Sequence, residues 1–302
     1  MHMRVKLILP AVAAARTARR RVKYSLFPPL GLATLAAYLH DEDEVSLQDD
    51  YVEPLTLDDD PELVGIQVYI PSAYRSYELA DRYRRTGAHV ALGGLHVTAM
   101  PDEAAQHADT IFLGPGDDTW PAFLRDFRSW HPWPRYESRV RTLIGQPPPR
   151  RDLLRSNLYL APHSIVVSRG CAHACDFCYK ESFFRGGKSF YTKAVDQALA
   201  EIDGIPGRHL FFLDDHLFGD ARFAAALFEG MKGMGRIWQG ACTVRSVMES
   251  GLLDAAVDSG LRSLFIGFET LSPANLEQQH KRHNQGWTTP QRCAACTSGE
   301  SW

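Results

Sequence analysis

Ile165-Val166-Val167-Ser168-Arg169-Gly170-Cys171-Ala172-His173-Ala174-Cys175-Asp176-Phe177-Cys178 runs from an apolar stretch straight into three thiols spaced CxxxCxxC. Residues 165–169 read as a buried strand, and Gly170 permits the turn that delivers the loop. Three thiolates in so short an arc can hold three irons of a 4Fe-4S cube and leave the fourth iron open to a ligand. Two other readings of these cysteines compete. Structural zinc usually takes four protein ligands from two close pairs, which the offsets of four and three match poorly. A disulfide framework needs an oxidising compartment, and 6 Cys in 302 residues is ordinary usage. Within the loop, Phe177 is expected to shield the cube from water. Tyr179 follows the last thiolate closely enough to touch an adenine-sized ligand.

Downstream, strands alternate with helices. A helix is expected near 192–203, then the strand His209-Leu210-Phe211-Phe212-Leu213 ending in Asp214 and Asp215, and a helix over 220–231. A third strand, Ile237 to Cys242, opens at Thr243, Val244 and Arg245. After a helix near 251–259, a fourth strand runs from Ser263 to Glu269. Repetition of this unit predicts a partial TIM-like (β/α) barrel with about four units, whose reactive face lies at the carboxyl ends of its strands. The cysteines, Asp214, Asp215, Arg245 and Glu269 all fall on that face. The carboxylates can receive ribose hydroxyls or an amino group, and Arg245 can meet a carboxylate. Helix capping or a salt link is the plainer role for Asp214 and Asp215. Cys242, inside a strand, reads as a small core residue.

Upstream, strands are expected at 5–9, 45–49, 64–68, 89–94 and 110–114, with helices at 32–39, 74–85 and 120–127. This alternation predicts a doubly wound parallel sheet over residues 3–127, giving an α/β protein overall. Such sheets bind ligands beyond the carboxyl ends of their strands, where Gly93, Gly94, Gly114 and Gly116 fall. These glycines either admit a flat or phosphorylated ligand or merely turn the chain. Residues 128–162, rich in proline and arginine, read as an extended linker; Trp130 and Trp133 either pack it down or face a cofactor. The cluster domain is expected over 163–285 and an irregular tail over 286–302, where Cys293 and Cys296 could hold a second metal only with outside ligands.

A formal charge of -3 gives no basic footprint for nucleic acid. No stretch reaches the apolar length of a membrane span, and the segment 5–10 is too short for an export signal. A reducing cytoplasm suits an oxidation-sensitive cluster.

These residues resemble the radical S-adenosylmethionine superfamily, in its branch with an amino-terminal cobalamin-binding domain. Arg169-Gly170-Cys171 through Phe177-Cys178 is similar to the signature loop. Leu213-Asp214-Asp215 and Gly267-Phe268-Glu269-Thr270 resemble two strand ends of the barrel. In the first domain, Gly93-Gly94-Leu95-His96-Val97-Thr98, Pro101-Asp102-Glu103 and Gly114-Pro115-Gly116-Asp117 are similar to the family's paired loops. The resemblance implies a 4Fe-4S cluster whose open iron binds S-adenosylmethionine, reductive cleavage of that cofactor to a 5'-deoxyadenosyl radical, and cobalamin as methyl carrier. It further implies a small-molecule substrate, an external electron donor, and a methyltransferase acting on an unactivated carbon. The alternatives are a radical cyclase or rearrangement enzyme, or a non-catalytic cluster-binding scaffold. The Asp-x-His-x-x-Gly element by which many cobalamin proteins place histidine on cobalt is missing, an absence common in this branch that would leave the lower cobalt face to water or to another side chain, with His96 as an alternative. Only four of the usual six barrel units are visible, and a homodimer covering the open edge is one way to close it.

Overall fold

The computed structural model describes residues 2–12, 25–184, 186–249 and 251–285. The expected irregular tail, with Cys293 and Cys296, lies outside the described residues. The chain divides into two units, residues 1–162 with 182–187, and residues 163–181 with 188–302.

In the first unit the order is β1 (Arg4–Leu9), α1 (Leu30–Ala36), β2 (Glu44–Asp49), β3 (Leu63–Gln67), α2 (Ala73–Arg85), β4 (His89–Gly93), α3 (Leu95–Ala99), α4 (Pro101–Ala104), β5 (Thr110–Leu113), α5 (Gly116–Arg128) and β6 (Arg135–Glu137). The strands form one sheet in the order β2-β1-β3-β4-β5-β6, every pair parallel. Helices cover both faces, which is why the interior residues of β1, β3 and β5 are buried without alternation, Lys6 of β1 included. Helix α2 buries Ala73, Tyr77, Ala80 and Tyr83 at helical spacing, and α5 buries Trp120, Phe123, Leu124 and Phe127. The doubly wound sheet expected from the sequence is therefore present.

One stretch departs from expectation. Residues 135–137, within the segment read as linker, form β6 and extend the sheet beside β5. The cause is Tyr136, whose ring stacks on Phe112 at 5.5 Å and whose hydroxyl donates to Asp126 at 2.6 Å. Burying that ring in the Phe112-Trp120-Phe123 layer offsets the cost of ordering a proline-rich chain. Trp130 and Trp133, expected to pack the segment down or to face a cofactor, stand 75% and 67% exposed.

The second unit contains β7 (Ser164–Ile165), β8 (Ser168–Gly170), α6 (Lys180–Phe183, whose last two residues group with the first unit), β9 (Phe190–Thr192), α7 (Val195–Gly204), β10 (His209–Phe212), α8 (Ala221–Met231), β11 (Ile237–Cys242), α9 (Val244–Glu249), α10 (Leu253–Asp258), β12 (Leu261–Ile266) and α11 (Pro273–Gln278). Strands β7, β10, β11 and β12 lie side by side in chain order and parallel, as four consecutive units of a (β/α) barrel do. Their core gathers on Trp238, which is fully buried and stacks on Phe228 at 5.2 Å. Asp220 caps α8, accepting the amides of Arg222 and Phe223. Cys242 is buried in this core, as its place inside a strand suggested.

The strand expected at 165–169 is two strands. β7 ends at Ile165, and β8 leaves the sheet to pair antiparallel with β9. The break has a local cause: the Asp214 carboxylate accepts the amides of Val167 and Ser168, where a continued strand would need neighbouring carbonyls. Among the described residues, no helix is long and apolar enough to cross a membrane.

Candidate functional site

The cysteine loop starts where β8 ends. Gly170 holds φ +76, a left-handed conformation costly for any residue with a Cβ, and turns the chain outward. Its amide donates to Asp215 at 3.0 Å, and the Cys171 amide donates to the Ser189 carbonyl at 2.9 Å. Inside the loop, the His173 amide donates to Cys171 Sγ at 3.5 Å and the Cys178 amide to the Cys175 carbonyl at 3.0 Å. Cys175 is buried, while Cys171 and Cys178 are half-buried. Burial pushes the thiols of Cys171 and Cys175 up, and the neighbouring thiols add to the rise. Lys180 and Lys281 oppose it at both cysteines or at Cys175, so fixed cations face thiols that are near enough to feel one another.

A cube assigns each thiolate to a different iron, so the sulfurs need not converge on a point as they do around one ion. The loop suits that demand: three soft donors on one short arc, backed by cations and free of disulfides. The residues present therefore fit a 4Fe-4S cluster. Since thiolates are the ligands, loading it would release protons from thiols that burial keeps protonated.

The two aspartates after β10 part company. Asp214 is 3% exposed, and burial pushes its carboxyl up to about 7 despite bonds from the Ser168 hydroxyl at 2.6 Å and from backbone amides. It shapes the loop's base and presents no oxygen to a ligand. Asp215 is exposed and accepts the Tyr179 hydroxyl at 2.8 Å. Tyr179 thus stands beside the loop as expected, and burial together with the Asp215 charge raises its hydroxyl pKa. Phe177, expected as a shield, is half exposed, with its ring 5.5 Å below Lys281 Nζ. Arg245 sits at the head of α9, where its charge reaches His173 and His283. Glu269, just past β12, takes a left-handed φ of 59 and accepts Lys281 Nζ at 2.9 Å. Such backbone strain in a residue with a side chain collects at functional sites.

Sequence reasoning missed a histidine stack in the same unit. The ring of His173 lies 3.7 Å from that of His283 and 5.8 Å from that of His216. Burial pushes His216 down to about 4 and His283 to about 3, so both are neutral at neutral pH. His216 Nε2 meets Ser246 Oγ at 3.2 Å. The available signal was position: His173 lies between two loop cysteines and His216 follows Asp215.

In the first unit, the four singled-out glycines all lie at carboxyl ends of strands. Gly93 closes β4, Gly94 follows it, and Gly114 and Gly116 bracket Pro115 between β5 and α5. Gly94 holds φ +115, and a Cβ there would come 2.8 Å from the Val68 carbonyl oxygen. Its turn is thus required by packing whether or not a ligand approaches. The strand order reverses between β1 and β3, the place where open α/β sheets bind ligands. Beside that switch Tyr69, Ile70 and Tyr74 are exposed, as is Met100 after β4. Exposed apolar side chains near strand ends suit a broad, flat macrocycle such as cobalamin. His96 is not poised for cobalt, because its ring is largely buried and Nε2 meets Glu103 at 3.3 Å.

The B12-binding domain family matches residues 17–124. A bacteriochlorophyllide d C-12(1)-methyltransferase of Chlorobaculum tepidum is 26% identical over 235 residues, 74% of this chain and 51% of that protein. A hopanoid C-2 methylase of Rhodopseudomonas palustris is 29% identical over 281 residues, 86% of this chain and 52% of that one. The chain thus spans about half the length of these two curated relatives. The solved structure of the radical S-adenosylmethionine methyltransferase TsrM from Kitasatospora setae, with cobalamin and a [4Fe-4S] cluster bound, superposes with a TM-score of 0.72 at 16% identity, covering 99% of this chain and 65% of that one. With the three-cysteine loop on a parallel-stranded second unit and a B12-binding match on the first, the chain is similar in sequence to these methyltransferases and shares the fold of the cobalamin-binding radical S-adenosylmethionine methyltransferase TsrM.

Proposed function

We propose that the chain carries the cluster and cobalamin modules of a methyltransferase that adds a methyl group to an unactivated carbon of a small biosynthetic intermediate. The observation that carries this reading is the loop of Cys171, Cys175 and Cys178, anchored through Gly170 to Asp215 beside Tyr179. The relatives support the reaction class, because their names assign methylation to C-12(1) and to C-2.

When bound, the cluster, S-adenosylmethionine and cobalamin supply the electron-transfer, radical and methyl-carrier chemistry. The chain supplies placement. Cys171, Cys175 and Cys178 would hold three irons. Asp215 offers an exposed carboxylate to a ribose hydroxyl, Glu269 one to an amino group, and Arg245 a guanidinium to a carboxylate. The neutral rings of His216 and His283 keep the neighbourhood polar without delivering protons. Gly93, Gly94, Gly114 and Gly116 shape the strand ends from which cobalamin would be held.

The reading extends to surroundings. It places the protein in the cytoplasm, where a reducing milieu protects the cube, and calls for an external one-electron donor. It also allows a second copy along β12, the edge strand of its sheet among the described residues, whose Phe265 is 76% exposed.

Anaerobic reconstitution is the test. The protein is expected to take up about four irons and about one cobalamin, and with dithionite and S-adenosylmethionine to release 5'-deoxyadenosine. Zinc at the thiols, or S-adenosylmethionine left intact by reduced protein, would sink the proposal.

A further inference from the structure

The segment after α11, Gln279 to Asn284, grips the cysteine loop. The Asp176 amide donates to the Gln279 carbonyl at 3.3 Å, and His280 Nδ1 meets the Asp176 carboxylate at 2.7 Å. Lys281 Nζ sits over the Phe177 ring at 5.5 Å, and His283 stacks on His173. The same segment also holds the outlet of β12. Lys281 Nζ donates to Glu269 Oε1 at 2.9 Å, and Asn284 Nδ2 donates to the Gly267 carbonyl at 2.9 Å. A hexapeptide thus joins two strand ends that are far apart in the chain.

Lys281 is the charge at the middle of this clasp. It is 6% exposed, although an ammonium is strongly hydrated and costly to bury without compensation. Glu269 compensates from one side, with a carboxylate that is itself 45% exposed and so partly screened. Phe177, the second contact, belongs to the loop, and the Lys281 charge is felt at Cys175. A cation is therefore fixed in a poorly solvated place between the Phe177 ring of the cysteine loop and the Glu269 carboxylate, near enough to act on Cys175.

We infer that Lys281 is a positioning residue that ties Glu269 to the cysteine loop and sets the reduction potential of the cluster held there. The inference rests on the cluster reading proposed above. Reduction adds one electron from the external donor, and hence one negative charge, to the cube. A fixed positive charge nearby stabilises that form and raises the potential, while the Glu269 carboxylate opposes it. The two side chains must therefore act with opposite sign.

The experiment is a dithionite redox titration of the full reconstituted chain without S-adenosylmethionine, read by the paramagnetic signal of the reduced cube and accompanied by iron counts. K281M is expected to keep its iron and to become about tenfold harder to reduce, a fall of about 59 mV for a one-electron couple. K281R restores the potential, and E269Q shifts it upward. A K281M midpoint equal to wild type with iron retained overturns the inference, as does a downward shift in E269Q. If K281M loses its iron, E269Q decides: an unchanged or lowered midpoint there is equally fatal. Wild-type protein that assembles no cube overturns the cluster reading itself, a result separate from any effect of Lys281.

Discussion

Asp214 shows how one buried carboxylate can end a strand. It receives the Val167 and Ser168 amides and the Ser168 hydroxyl, so the chain turns out of the sheet three residues before the first thiol. D214A would leave buried amides without an acceptor, at a cost of about 1–3 kcal/mol for each, and is expected to lower the urea midpoint and the iron content together. The pH dependence has a definite sign. Burial raises the folded carboxyl to about 7 from 3.8, so the folded state binds the proton more tightly between those values. The associated stability is present below the unfolded value and is lost as pH rises through the folded one. Relative to D214N, the native protein should therefore lose stability from about pH 4 to about pH 7. A difference that stays constant over that range in paired urea titrations would contradict the assignment. The sequence placed Asp214 at the right strand end. Its inward orientation depended on Ser168, a contact 46 residues distant that no local pattern announces.

Among the elements, strands buried on both faces were the easiest to foresee, because a largely apolar run such as 5–9 or 64–68 has few other uses in a folded domain. β6 and the β8–β9 ribbon were not foreseeable in the same way. Each is three residues long and depends on a partner: Tyr136 on the aromatic layer of α5, and β8 on β9 twenty residues later. The turn after β4 belongs with the legible features, since Gly93-Gly94 closes an apolar run. G94A tests it. A methyl group would meet the Val68 carbonyl at 2.8 Å in a backbone conformation already unfavourable by about 1–2 kcal/mol. Thermal unfolding should show a loss of at least about that size, and wild-type stability in G94A would refute the constraint.

The two units have separate apolar cores. One is built on Trp238 and Phe228, and the others on the two faces of the first sheet. Ligand binding in one unit should therefore survive loss of the ligand in the other. C175A is expected to abolish iron uptake, by removing one of three thiolates, and to leave the cobalamin content of the protein unchanged. Loss of both ligands in C175A, measured by metal analysis and absorbance on the same sample, would show that the units do not hold them independently.

Composition and spacing alone established the parallel α/β architecture, the three-thiol loop and the strand ends on which Asp215, Arg245 and Glu269 lie, because these depend on short-range periodicity and on the fixed reach of a few residues. Folding decided which of those groups face outward. It turned Asp214 in, left Asp215 out, stacked three histidines from separate segments, and set Lys281 between Phe177 and Glu269. Each of these outcomes rests on a contact between residues remote in the chain. Its energy comes from desolvation and charge pairing that exist only once the strands have brought the partners together.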